Sequence, residues 1–206
     1  MPNSLPRGRF ITLEGIDGAG KSTHLPWLKA ALEQAGRRVW VSREPGGTRL
    51  GEALRELLLH EPMAPLAETL LMFAARREHC EREIWPRLAD GTWVVCDRFV
   101  DATYAYQGGG YGVAVETLAE LERLSLGDFR PDLTLVFDIP VEVSQERVAG
   151  AREQDKFERQ SGAFFTRVRE TYLQRARAEP QRMRVIDATR SRDAIRAELN
   201  SLVAGL

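Results

Sequence analysis

Residues 15–23 read Gly15-Ile16-Asp17-Gly18-Ala19-Gly20-Lys21-Ser22-Thr23, preceded by the largely apolar stretch Phe10-Ile11-Thr12-Leu13-Glu14 and leading into a helical pattern from Lys21. The pattern GxxxxGK[ST] between a strand and a helix restricts the fold more than any other feature of the chain. Glycines allow backbone dihedrals and close approaches that a Cβ would block. Successive backbone N–H groups can then converge on one anion, with the helix N-terminus adding its dipole. Gly15, Gly18, Ala19, Gly20, Lys21, Ser22 and Thr23 are therefore the candidate triphosphate-binding set. Lys21 is placed to reach the terminal phosphates and the Ser22 hydroxyl to bind Mg2+. The loop identifies a nucleoside triphosphate as ligand and says little about its fate.

Short β-rich runs alternate with helix-length segments along the rest of the chain. The runs are 9–14, 39–42, 92–97, 133–138 and 183–187. Trp93-Val94-Val95-Cys96 and Leu135-Val136-Phe137 are apolar on consecutive residues, which predicts strands covered on both faces. Between them fall predicted helices at 21–35, 50–60, 66–88, 113–126, 141–148, 163–178 and 191–202. The long third helix should bend or break near Pro86. This order predicts an α/β fold, a parallel sheet with helices on both faces and right-handed crossovers. Ligands of such sheets lie at the carboxyl ends of the strands.

The 206 residues suit one domain with a full core. With 29 basic and 30 acidic residues the formal charge is -1, which argues against a nucleic-acid partner. No apolar run approaches the ~20 residues that span a bilayer, and the first residues lack the apolar stretch of a secretory signal. Cys80 and Cys96 have no metal-ligand spacing, and His24, His60 and His79 are scattered. A reducing cytoplasm is the expected location.

The strand ends carry the remaining chemistry. Asp97 closes the third run beside the phosphate loop, the position from which a carboxylate holds Mg2+. Asp138 and Asp187 close two further runs, where a metal role and a cap or ion pair are equally open. Arg43, Arg55, Arg76, Arg77 and Arg98 collect near the expected crevice. Guanidinium groups bind phosphate in bidentate fashion, and one triphosphate does not need so many, so a second phosphorylated ligand is expected. Arg43 and Arg98 each follow a strand directly. The stretch Thr103-Tyr104-Ala105-Tyr106-Gln107-Gly108-Gly109-Gly110 offers aromatic, amide and hydroxyl groups for a nucleobase, and a plain glycine turn is the competing reading.

In this order the residues resemble bacterial thymidylate kinases over nearly the whole chain. The match comprises the phosphate loop, Arg43-Glu44-Pro45-Gly46-Gly47-Thr48, the helical 70–79 segment, Asp97-Arg98-Phe99, Ala105-Tyr106-Gln107-Gly108, Gly127-Asp128-Phe129-Arg130-Pro131-Asp132-Leu133 and a lid-like stretch at 147–160. The resemblance implies a five-stranded parallel sheet of the nucleoside-monophosphate kinase type and a homodimer. It implies transfer of the γ-phosphate of ATP to dTMP with Mg2+, giving dTDP. On matching positions, Lys21 would hold the ATP phosphates and Ser22 would ligate Mg2+. Asp17 would face the acceptor sugar and phosphate. Arg43, Arg55 and Arg98 would line the dTMP phosphate, with Glu44 and Asp97 organising Mg2+ and water. Arg76 would reach thymine, with Met72 or Phe73 stacked on it. Thr103 and Gln107 would read the base edge, and Tyr106 would crowd a ribose 2'-hydroxyl.

The family places a mobile arginine in the phosphate loop or in the lid. Gly18 occupies the loop position, so the chain resembles the lid group, and Arg147 and Arg152 become the candidate lid cations beside Lys156. Ala102 stands where many relatives have Ser. Two rival readings remain at this stage. One is another P-loop nucleoside or nucleotide kinase; a deoxynucleoside kinase, with its unphosphorylated acceptor, would need fewer acceptor-side cations. A guanine-specific switch would need an Asn-Lys-x-Asp motif, and neither Asn3 nor Asn200 supplies it.

Overall fold

Phe10–Glu14 forms β1, buried along its whole length. In the computed structural model, which describes residues 7–148 and 155–206, β1 lies at the middle of a five-stranded sheet. The other strands are β2 (Val39–Arg43), β3 (Trp93–Asp97), β4 (Leu133–Asp138) and β5 (Met183–Asp187), in the spatial order β2-β3-β1-β4-β5. Every pairing is parallel. Strand side chains alternate between two cores. Ile11, Leu13, Val95 and Leu135 face one, whereas Phe10, Val94 and Cys96 face the other. Both faces must therefore be covered, which explains the unbroken apolarity of the central strands.

The helices supply that cover: α1 (Lys21–Gln34), α2 (Arg49–His60), α3 (Pro65–His79), α4 (Trp85–Ala89), α5 (Val100–Thr103), α6 (Val115–Leu126), α7 (Val141–Val148), α8 (Gly162–Ala178) and α9 (Arg192–Ala204). Ser and Thr side chains cap three of them. Thr48 Oγ1 accepts from the Gly51 N–H, Ser161 from Phe164 and Ser191 from Ala194. No helix among the described residues is long and apolar enough to cross a membrane.

Two elements differ from the sequence expectation. The 66–88 helix is relieved upstream of Pro86: a π-helical turn, Cys80–Ile84, joins α3 to α4. Pro86 has no N–H, and its ring would meet the carbonyl four residues back, so the widened turn absorbs the mismatch. The glycine-rich stretch, for which a plain turn was the competing reading, is a second π-helical segment, Tyr104–Gly110, packed on α8. A Cβ on Gly109 would stand 3.0 Å from the Arg167 carbonyl oxygen, and one on Gly110 would enter the Phe164 ring. These glycines serve close packing.

The strand order reverses on either side of β1, opening a crevice at the carboxyl ends. The 15–20 loop fills its middle.

Candidate active site

The phosphate loop is shaped by Gly15, Gly18 and Gly20, all at positive φ. At Gly18, φ is +75° and a Cβ would stand 2.7 Å from the Ser144 carbonyl oxygen of α7. The missing side chain thus lets α7 pack onto the loop. Two contacts join them: Ser144 Oγ donates to the Asp17 carbonyl at 2.6 Å, and Arg147 Nη1 donates to the Gly18 carbonyl at 3.2 Å. Lys21 is buried and folded back, its Nζ donating to the carbonyls of Gly15 at 2.8 Å and Ile16 at 3.1 Å. Burial, then the neighbouring Arg98 charge, holds its pKa below the usual lysine value.

Facing the loop, Arg98 follows β3 at φ +67°, a left-handed conformation that is strained for a residue with a Cβ. Its Nη2 donates to Asp17 Oδ1 at 2.9 Å and to the Tyr106 hydroxyl at 2.8 Å. Tyr106 in turn donates to Asp17 Oδ2 at 3.2 Å. Burial alone would raise the Asp17 pKa, but Arg98 and then Lys21 outweigh it and bring the carboxyl down to about 2. The turn is held from below by Glu14, whose Oε1 accepts from the Phe99 N–H at 2.7 Å and whose Oε2 accepts from the Tyr172 hydroxyl at 2.8 Å. Burial, reinforced by Asp101, pushes Glu14 up to about 8.

A second polar chain runs beneath the outer half of the crevice. Glu44 binds Arg76 Nε through Oε2 at 2.7 Å and His79 Nδ1 through Oε1 at 3.0 Å. Arg76 Nη2 donates to Thr103 Oγ1 at 3.0 Å and to the Phe99 carbonyl at 3.1 Å. Its Nη1 is buried with no hydrogen-bond partner among the described residues. Asp97 Oδ1 is in the same state. Gln107 Nε2 donates to Glu68 Oε1 at 2.8 Å, and Lys156 Nζ reaches Glu68 Oε2 at 2.7 Å.

These side chains surround one cavity of about 740 Å³. It is lined by Asp17, Gly18, Ala19, Gly20, Lys21, Ser22 and Thr23 on the loop side. Glu44, Arg55, Met72, Arg76, Asp97, Arg98, Thr103, Tyr106 and Gln107 line the other, and Arg147 the rim. Gly15 stands behind the loop. Arg43, Phe73, Arg77 and Lys156 are not among the lining residues. Arg43 turns outward to pair with Glu52 at 2.8 Å, and Phe73 packs in the core beneath the Arg76 guanidinium. One helical position is about 100° of rotation, so Met72 and Phe73 point to different faces, and Met72 is the one that lines the cavity. Arg152 lies outside the described residues, as do residues 149–154 of the expected 147–160 lid.

The other strand-end acids prove structural. Asp138 makes a bidentate pair with Arg169, at 2.6 and 2.9 Å, and Asp187 accepts from the N–H and hydroxyl of Thr189. Arg77 pairs with Glu81 and the Ser125 carbonyl, away from the crevice. Sequence reasoning missed several lining residues: His24, Leu59, Phe157, Ala188, Arg190, Arg192 and Ile195. Ala188 and Arg190 were findable, since they directly follow a strand and such loops edge the crevice. Phe157 fell within the expected 147–160 lid with no role of its own; it enters by packing edge-on against Tyr106.

A P-loop at the centre of a β2-β3-β1-β4-β5 parallel sheet, facing a second cationic compartment across one cavity, defines a P-loop kinase of the nucleoside-monophosphate kinase type. The statistical model of the family described as thymidylate kinase matches residues 13–199. Over 200 residues the chain is 59% identical to a thymidylate kinase of Cupriavidus metallidurans, covering 97% of this chain and 100% of that one. A thymidylate kinase of Bordetella pertussis is 55% identical, with 98% and 97% covered. The crystal structure of thymidylate kinase from Ehrlichia chaffeensis superposes with a TM-score of 0.78 at 34% identity, covering 97% of this chain and 99% of that chain. The chain belongs to the thymidylate kinase family.

Proposed function

We propose that the protein transfers the γ-phosphate of ATP to dTMP, giving ADP and dTDP. The carrying observation is that the phosphate loop and the Arg98-Asp17-Tyr106 cluster border the same cavity, which gives two anionic reactants adjoining places. The reactants repel each other, and phosphoryl transfer leaves the protein little covalent work. Catalysis then consists of neutralising charge and aligning the attacking oxygen with the γ-phosphorus. Lys21 and the N–H groups of Gly18, Ala19, Gly20, Ser22 and Thr23 hold the donor phosphates. Arg98 and Arg55 hold the acceptor phosphate. Asp17 orients Arg98 and, with its pKa brought down to about 2, stays ionised and does not serve as a base. The dTMP phosphate is already ionised near neutral pH, so no strong base is required.

Mg2+ is the metal expected with ATP. The buried, unpartnered Asp97 Oδ1 and the Ser22 hydroxyl fit a hard cation that takes few protein oxygens and completes its shell with phosphates and water. When bound, it supplies charge neutralisation at the phosphates. On the acceptor side, Met72 covers the thymine face, Arg76, Thr103 and Gln107 read its edge, and Tyr106 crowds the 2' position of a ribose. Glu44 fixes Arg76. Arg147 stands at the donor rim, and it is a described cation of the lid expected at 147–160, whose role would be to exclude water from the donor; Arg152 lies outside the described residues, and the chain acts as one domain. The exposed leucines Leu50 and Leu57 on α2 and Leu66 and Leu70 on α3 support a homodimer joined through these helices. Buried free Cys80 and Cys96 accord with a cytoplasmic location.

The reading is tested by following ADP formation from ATP with and without dTMP. Kinase activity gives ADP only in its presence, matched by dTDP. Equal ADP formation in both conditions would mark a P-loop hydrolase instead.

A further inference from the structure

We propose that Glu68 is a positioning residue that sets the base selectivity of the acceptor site by deciding which end of the Gln107 amide faces the base. The proposal rests on the acceptor reading given above. Glu68 lies on α3 and is 2% exposed. Both its oxygens are committed, Oε1 to Gln107 Nε2 at 2.8 Å and Oε2 to Lys156 Nζ at 2.7 Å. Lys156 is itself held, its Nζ donating to the Glu61 carbonyl at 3.0 Å and its backbone N–H to the Leu59 carbonyl at 3.3 Å. The counter-charge and its anchors keep the carboxylate in place.

A primary amide has two ends of nearly equal shape and opposite hydrogen-bonding sense. Left alone in a cavity wall, Gln107 could present either. A carboxylate paired with an ammonium only accepts, so it takes the NH2 end, and the Oε1 carbonyl is the end left for the cavity that Gln107 lines. Arg76 lines the same cavity, and its buried Nη1 has no partner among the described residues. A guanidinium only donates. A base satisfying both groups must offer a donor to Gln107 and an adjacent acceptor to Arg76. Thymine does so with N3–H and its neighbouring carbonyl. Cytosine has the reverse, an acceptor at N3 and an amino group beside it, and would leave both protein groups unpaired. Glu68 touches neither phosphate compartment, so its contribution is to selectivity alone.

The test is steady-state kinetics of Glu68→Gln with dTMP and with dCMP at saturating ATP. Glutamine at 68 can accept or donate, so it no longer dictates the Gln107 orientation. The ratio of kcat/KM for dTMP over dCMP should fall by about tenfold, mainly through KM for dTMP, with KM for ATP unchanged. A folded variant with the wild-type ratio overturns the proposal and leaves Glu68 a packing residue. Should the unpaired Lys156 unfold the single variant, Glu68→Gln/Lys156→Met removes both charges and its dTMP-over-dCMP ratio should fall likewise, and a wild-type ratio there overturns the proposal equally. Wild-type protein that phosphorylates dTMP and dCMP alike would overturn the proposal through selectivity, whereas protein inactive on every nucleoside monophosphate would overturn the acceptor reading beneath it.

Discussion

Arg98 joins three parts of the molecule: its φ of +67° turns the chain out of β3, and its guanidinium meets both Asp17 of the phosphate loop and Tyr106 of the π-helical segment. Replacing it with alanine frees Asp17 and removes an acceptor-side cation. Arg98→Ala should raise KM for dTMP far more than KM for ATP, whereas Lys21→Ala should cut kcat by roughly a hundredfold or more with the fold intact. Initial-rate kinetics varying each substrate separates the two, and an unchanged dTMP dependence in Arg98→Ala would contradict its role. Glu14 makes a prediction about pH. Its carboxyl is raised from 4.5 to about 8, so between those values the folded chain holds a proton that the unfolded chain has lost. Stability from this group is therefore present below pH 4.5 and declines as pH rises towards 8, by at most roughly 1.4 kcal/mol per pH unit. Glu14→Gln should flatten that decline in urea unfolding between pH 5.5 and 7.5; parallel curves for both proteins would contradict it. Much of this residue-level chemistry was legible from position. Lys21, Asp97 and Arg98 follow strands or sit in the loop, where sheet geometry delivers them to the crevice. Glu14 was read only as the end of a strand, because its partners Phe99 and Tyr172 are 85 and 158 residues away.

Among the elements, strands and long helices were legible because their periodicity reports burial directly. The central strands read as continuous apolar runs, and both sheet faces are covered. What periodicity could not reveal was π-helical geometry, which shifts the register of side chains without altering composition. Tyr104–Gly110 therefore kept a plain turn as its competing reading although it packs against α8. Arg43 misled for a related reason: a strand end predicts proximity to the crevice and not the pull of Glu52 from α2. The packing interpretation of the glycines is testable. Gly109→Ala drives a methyl against Thr171 and the Arg167 carbonyl, and overpacking of this kind costs about 1–3 kcal/mol. Thermal denaturation should show a clearly lowered Tm, and a Tm equal to wild type would mean that the segment retains slack.

For the whole molecule, the segments that follow β1, β2, β3 and β5 border one cavity, with the phosphate loop at the point where strand order reverses. The opposite consequence of this layout is the outer surface of α2 and α3, where Leu57 and Leu70 remain exposed. A homodimer would cover them. Leu70→Glu should convert the dimer to monomer by light scattering at unchanged secondary structure; a wild-type dimer mass would exclude this face. The central claim concerns the two adjoining anion sites, and the most direct measurement is calorimetric titration of dTMP into the protein loaded with a non-hydrolysable ATP analogue. One dTMP should bind per chain, with affinity falling by about tenfold or more in Arg98→Ala. Protein that takes up the analogue but no dTMP would contradict the assignment of the second compartment.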